Sequence, residues 1–274
     1  MTVHSKLQPY IDAWTHSIEA ISELVSPLAE GEWNRATDCP GWSVRDVVSH
    51  VIGLECEALG DPRPIHSLPR DLYHVTDEFS RYMEVQVDVR RCHTGPEMTA
   101  ELEYTIIRRA RQLRNETREP ETTVRSLMGK ERTLEESLRL RVFDVWVHEQ
   151  DIRRALGKPG NLDSPAASVV RDFLLPQLPK VVAKKASAPA GSAVVFDVHG
   201  AVEFMRTVRV DAEGTGTIDG SVSLGPVVTL AMDWETFVRL VCGRGRPEAL
   251  MERVKVDGDR ELADAILAAL AVTP

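Results

Sequence analysis

The chain is poor in cysteine, in net positive charge and in long apolar runs, and each shortage argues against a class of protein. Its four cysteines, Cys39, Cys56, Cys92 and Cys242, are scattered and form no CxxC pair. That speaks against a disulfide framework and against a cysteine-rich zinc site. The formal net charge is −9, whereas nucleic-acid and anionic-membrane binders carry a basic excess or a basic stripe. Neither partner is expected. Arg108, Arg109, Arg111 and Arg114 crowd one stretch, and their spacing reads as a solvated helix face. No apolar run approaches the length of a bilayer span, and the amino terminus turns polar within a few residues, without the apolar core of a signal peptide. A reducing cytoplasm is the expected location. No internal repeat or low-complexity tract stands out.

What is present is an ordinary globular composition, 43% hydrophobic and 27% charged over 274 residues, enough for two domains with separate cores. The texture changes near Gly157-Lys158-Pro159-Gly160. Before it, apolar residues recur at helical spacing from Leu7 to Leu28 (Ile11, Trp14, Ile18, Ile21, Leu24, Val25) and again from Ser43 to Leu59. Further helices are expected over about 71–89, 96–115 and 134–156, with Ser43 as an N-cap, Pro96 in a first turn and Gly157 as a C-terminal stop. Three prolines between Asp61 and Pro69 mark an irregular link. After Gly160, residues 165–185 read as one more helix. Residues 192–198, 202–210 and 227–232 have the β-branched content of strands, and helix signals follow at 234–241 and 261–270. The expected fold class is multi-domain, α then α+β: a helical bundle over residues 1–157 and a small α+β domain over 161–274.

Two motifs carry chemistry. His50 follows Cys39-Pro40-Gly41-Trp42-Ser43 into an apolar helix, and Asp144, His148 and Asp151 sit at spacings of four and three on one face of a second helix. A carboxylate inside a bundle is costly unless it is paired or holds a cation, so His50, Asp144 and His148 read as three ligands of a divalent metal. Zinc suits imidazole and carboxylate best, with nickel or iron as alternatives. Three protein ligands leave a tetrahedral ion one open position, as in a catalytic site. The same residues also fit a buried Asp-His hydrogen bond with Asp151 solvated at the bundle mouth, or an Asp144 that orients His148 without touching metal. Asp151 reads as a catalytic or positioning residue and not as a fourth ligand. Cys39 lies about three helical turns before His50, too far for the ligand set unless the leading loop folds back. Histidines 4, 16, 66, 74, 93 and 199 read as surface or local structural residues.

The stretch from Cys39 to His50, together with Val145-Trp146-Val147-His148-Glu149-Gln150-Asp151-Ile152-Arg153-Arg154-Ala155-Leu156-Gly157, resembles the mycothiol-dependent maleylpyruvate isomerase family, within the DinB-like four-helix bundles. The likeness covers about the first 157 residues, and two motifs at a matching separation are more specific than either alone. The second half resembles, more weakly, the sterol-carrier-like domain of that family, through Phe237-Val238-Arg239-Leu240-Val241-Cys242-Gly243-Arg244 and Val256-Asp257-Gly258-Asp259-Arg260-Glu261-Leu262-Ala263. The resemblance implies zinc on His50, Asp144 and His148 and mycothiol as thiol cosubstrate. In one respect the chain departs from it, because the isomerase type has glutamate where this chain has Asp144.

The implied activity is a zinc-activated thiol acting on a small electrophile, by S-transfer or by cis-trans isomerisation of a maleylpyruvate-like substrate. Arg244 could clamp a substrate carboxylate, or be a surface arginine of Arg244-Gly245-Arg246. Two other classes stay open at this point: a zinc hydrolase of an amide or ester, and a metal- or small-ligand-binding sensor without turnover.

Overall fold

Capping residues written into the sequence bracket the first helices. The structure, a computed structural model, describes residues 3–220 and 225–273. It divides into two compact units, Met1–Val170 and Arg171–Pro274. In the first, α1 (Gln8–Val25) starts with a proline in its first turn and buries Ile11, Trp14, Ile18, Ile21 and Val25. Helix α2 (Val44–Leu59) starts at Ser43, whose hydroxyl accepts from the Asp46 backbone N–H while the Asp46 carboxylate accepts from that of Ser43, a reciprocal capping box. It ends at Gly60 in the left-handed conformation (φ 89°). Its valines are indifferent helix formers, but Val44, Val47, Val48, Val51, Ile52 and Leu54 are fully buried. At about 1.5–3 kcal/mol per buried side chain, that packing outweighs propensity.

Helix α3 (Glu78–Asp88) begins later than the expected residue 71, at the Asp77 cap, whose carboxylate accepts from the Ser80 backbone N–H. Helix α4 (Gly95–Arg114) follows the Thr94 cap, with Pro96 in its first turn. Two short strands, β1 (Thr123–Arg125) and β2 (Glu131–Thr133), pair antiparallel just before α5 (Leu134–Leu156). They are too short and too exposed to leave a pattern in the sequence. Helix α5 ends at Gly157, left-handed at φ 65°. Helices α1, α2, α4 and α5 pack as a four-helix bundle, α1 and α2 both against α4 and α5, and α3 lies along α2.

The division between the units falls within α6 (Pro165–Leu174). The single helix expected over 165–185 is instead broken after Leu174 into a 3₁₀ turn, a single turn α7 (Leu178–Lys180) and a π turn at Val181–Lys185. Pro176 and Pro179 are the cause, since each removes a backbone donor and clashes with the preceding turn. The second unit is built on a five-stranded sheet of order β5-β4-β3-β6-β7: β3 (Ala193–His199), β4 (Phe204–Val210), β5 (Gly216–Asp219), β6 (Val228–Asp233) and β7 (Lys255–Gly258). Strands β3 and β6 pair in parallel, Phe196 opposite Leu230. Helices α8 (Trp234–Val241), α9 (Pro247–Met251) and α10 (Arg260–Ala269) complete it. Trp234, Phe237, Phe196, Phe204 and Leu230 are buried in this unit, with Trp234 and Phe237 stacked at 5.8 Å between ring centroids. The edge strands β5 and β7 were not expected, being four residues each and largely exposed.

Candidate metal centre

The reversal of the chain at Cys39-Pro40-Gly41-Trp42 shapes the site. The Trp42 N–H donates to the Cys39 carbonyl (3.1 Å), proline stands second and Gly41 third with φ 76°, the pattern of a type II turn. A side chain at Gly41 would be strained, and a Cβ there would also lie 2.2 Å from His74 Nδ1. The strands of this hairpin are tied by Thr37 N–H to the Trp42 carbonyl (3.0 Å) and Val44 N–H to the Arg35 carbonyl (2.9 Å). Arg154 of α5 holds the loop to the helix through Asp38 (3.0 Å).

Below this loop, α2 and α5 bring His50, Asp144 and His148 together, with one ligand atom from each lying within 4.8 Å of the others. His50 Nε2 is 3.3 Å from Asp144 Oδ1, and His148 Nε2 is 3.8 Å from the same oxygen. Ligand atoms about 2.0–2.1 Å from a tetrahedral zinc are about 3.3 Å apart, so these positions already approximate one face of a coordination tetrahedron. Both imidazoles are buried, at 4% and 7% side-chain exposure, while Asp144 retains 17%. Asp144 is thus the most exposed of the three.

Electrostatics favours the charge states a cation requires. Burial would raise the Asp144 carboxyl, but Arg141 first, and then the two histidines, outweigh it and hold the group well below the usual carboxylate range. Burial pushes His50 down, and the attraction of Asp144 offsets this only in part. The set is thus an anionic oxygen facing an imidazole that favours its neutral form. Neutral imidazole and carboxylate are donors suited to a divalent ion such as zinc.

Asp151 is not solvated at a mouth, as the sequence left open. It is fully buried. Its Oδ2 accepts from His148 Nδ1 (3.0 Å) and from the Cys39 thiol (3.1 Å), and its Oδ1 accepts from Arg154 (2.5 Å). An aspartate on Nδ1 turns Nε2 of the same ring toward the cluster. Cys39 is here because the leading loop does fold back, and the Pro-Gly pair at 40–41 was the available signal. Cys39, His148 and Asp151 form a second close group.

Trp42 closes one side, its ring 5.0 Å from that of His50 and 6.2 Å from that of His148. The indole N–H donates to Glu84 (2.9 Å), a fully buried carboxylate that also meets His74 (3.0 Å) and Arg91 (2.6 Å). His74 is therefore a local structural residue. One expectation is corrected outright. Arg109 does not belong to a solvated face: it is buried and paired with Glu55 at 3.1 Å. The fully buried Glu55 meets Arg141, which in turn donates to Asp144 Oδ2 (3.0 Å). Sequence reasoning missed this chain of charges. Its signal was a carboxylate at 55 beside Val51, Ile52 and Leu54. Arg244 belongs to the second unit. It is buried rather than a surface arginine, and its guanidinium donates to the Cys242 carbonyl (2.7 Å).

Fold and cluster define a class: a DinB-like helical bundle that gathers two histidines and an aspartate, followed by an α+β unit. Residues 14–153 match the family model described as mycothiol maleylpyruvate isomerase N-terminal domain, and residues 168–265 match that of the corresponding C-terminal domain. The chain belongs to the mycothiol-dependent maleylpyruvate isomerase family, a family of enzymes. Among solved structures it is similar to a crystal structure of the mycothiol-dependent maleylpyruvate isomerase, at 16% identity over 92% of each chain with a TM-score of 0.57. A histidine-to-alanine mutant of that isomerase is similar at 15% identity, with the same coverage and TM-score. At such identities the likeness speaks for the fold alone. Comparison with curated proteins found no match. Among the described residues, no helix is long and apolar enough to cross a membrane.

Proposed function

We propose that the chain is a metal-dependent enzyme that activates a low-molecular-weight thiol, mycothiol by family membership, and directs it to a small electrophile. The observation that carries this reading is the convergence of His50, Asp144 and His148 on one point, in a chain with no cysteine among those three. A divalent ion held by this set, zinc by preference, would supply a Lewis acid that lowers the pKa of a bound thiol.

The residues of the chain do the rest. Asp144 and the two imidazoles would hold the cation. Asp151 fixes the ring of His148 and, being enclosed, acts through that ring and not on the substrate. Trp42 walls one side of the cluster. The thiol proton leaves to solvent as the sulfur becomes anionic. In S-transfer the sulfur forms a bond to an electrophilic carbon and the leaving group departs with the bonding pair. In isomerisation the thiolate adds to an activated double bond, the former double bond rotates, and elimination returns the thiol. A maleylpyruvate-like acid is one such substrate.

The test uses protein purified without chelator, mycothiol, and either monobromobimane or a cis-enoyl acid. An enzyme-dependent rate that is lost on chelation and restored by zinc is expected. Zinc-loaded protein inert with thiol but active on amides or esters would replace this reading with a hydrolase. Inertness in both assays would leave a binding protein.

A further inference from the structure

Asp144 shows its two oxygens to different neighbours. Oδ1 faces Nε2 of both histidines, at 3.3 and 3.8 Å, while Oδ2 accepts from Arg141 Nη1 at 3.0 Å. Arg141 precedes Asp144 by three residues on α5, which puts both on one helix face. Its guanidinium is almost fully buried, with 3% of the side chain exposed, and its Nε and Nη2 donate to the same Glu55 oxygen at 2.9 and 2.8 Å. Glu55 comes from α2, is fully buried, and is paired on its other oxygen with Arg109 from α4 at 3.1 Å. Charges therefore alternate along one buried line: Arg109, Glu55, Arg141, Asp144.

A cation beside a lone arginine would be repelled by it. Here Glu55, shared with Arg109, offsets part of the charge of Arg141, and more of the negative charge of Asp144 stays available to an ion on its other side. An unrestrained carboxylate can also turn both oxygens onto a metal, which fills a position that a thiol needs. Arg141 occupies Oδ2, and its planar fork, already fixed by Glu55, cannot follow if the carboxylate rotates. Building on the metal reading above, we infer that Arg141, braced by Glu55, is a positioning residue that commits Asp144 to a single metal-binding oxygen and so keeps the thiol's coordination position open.

The consequence is a separation of effects. Removing a ligand abolishes metal binding, whereas removing Arg141 leaves the metal in place and costs the thiol. Cobalt(II) distinguishes these outcomes, because its visible bands are strong in four-coordinate sites and weak at higher coordination numbers. In wild-type protein loaded with cobalt, strong bands that shift on adding mycothiol are expected. In Arg141→Met the bands should weaken, chelator competition should show metal affinity kept or increased, and the thiol concentration for half-saturation should rise about tenfold or more, the usual scale for groups that support a ligand from behind. Arg141→Lys keeps the charge but not the fork, and should fall between the two.

Circular dichroism checks that the variants fold. Should Arg141→Met fail to do so, Arg141→Lys and X-ray absorption of zinc-loaded wild-type protein still decide, the latter expected to show one short carboxylate oxygen on zinc. Wild-type protein that takes up no metal would overturn the metal reading and this inference with it. Wild-type protein that binds metal, with spectrum and thiol saturation unchanged in both variants or with both Asp144 oxygens on zinc, would overturn this inference alone.

Discussion

The two imidazoles of the centre are held by opposite means. His148 is fixed through its far nitrogen: Asp151 accepts from Nδ1 and is itself held by Cys39 and Arg154. His50 has no such support, since its Nδ1 is buried without a hydrogen-bond partner among the described residues, and the ring rests against Trp42 at 5.0 Å. One imidazole is thus fixed by polar contacts and the other by packing. The helix with the fixed ring, α5, also carries Asp144 and Arg141, so most of the arrangement is set by one element and α2 brings the remaining imidazole to it.

Substitutions can break this asymmetry, and the largest effect is expected from the fixed side. His148→Ala should lower zinc affinity by more than about 100-fold in chelator competition while leaving most helix content, because the ligand and its support are lost together. Asp151→Ala should cost about 10–100-fold in metal affinity and impair turnover, since His148 keeps its nitrogen but loses its orientation. If Asp151 served only to balance Arg154, the affinity would not move. On the packed side, Trp42→Phe should cost less, within about fivefold, because a ring remains against His50 and only the bond to Glu84 is lost, a contribution of about 1 kcal/mol. Cys39→Ala should be smaller again: Asp151 keeps its contacts with His148 and Arg154.

Thiol labelling gives the smallest and most local reading. Cys92 is exposed, Cys39 is buried on Asp151, and burial pushes the Cys56 thiol above its ordinary range. Iodoacetamide should modify Cys92 first. Because a raised pKa delays thiolate formation, Cys56 should gain on Cys92 as pH rises. Peptide mapping after timed quenching checks the order, and early labelling of Cys39 would mean that the loop over the site is open.

How far the sequence revealed this depends on where chemistry is written locally. The spans of α2 and α5 were legible because Ser43 and Gly157 mark their ends, and the face joining Asp144 to His148 followed from helical spacing. The nearness of Cys39 was not, because distance along the chain says nothing about a reversal, although Pro40-Gly41 is turn chemistry. The line from Arg109 to Asp144 was hidden by a habit that serves well elsewhere: charged residues are usually solvated, and four partners from three helices cannot be matched from spacing alone. Prolines at 176 and 179 should have stopped the long helix read over 165–185, since both lie in its interior. The strands β5 and β7 are short and exposed on a sheet edge, where alternation gives no signal.

The most direct test is to locate the metal. Crystals of protein purified without chelator and soaked in zinc should show, at the zinc absorption edge, one anomalous peak per chain, about 2.0–2.2 Å from His50 Nε2, Asp144 Oδ1 and His148 Nε2. Saturating zinc with no peak between those three atoms, and an intact hydrogen bond from His50 to Asp144 in its place, would contradict the metal centre and leave a buried Asp-His pair.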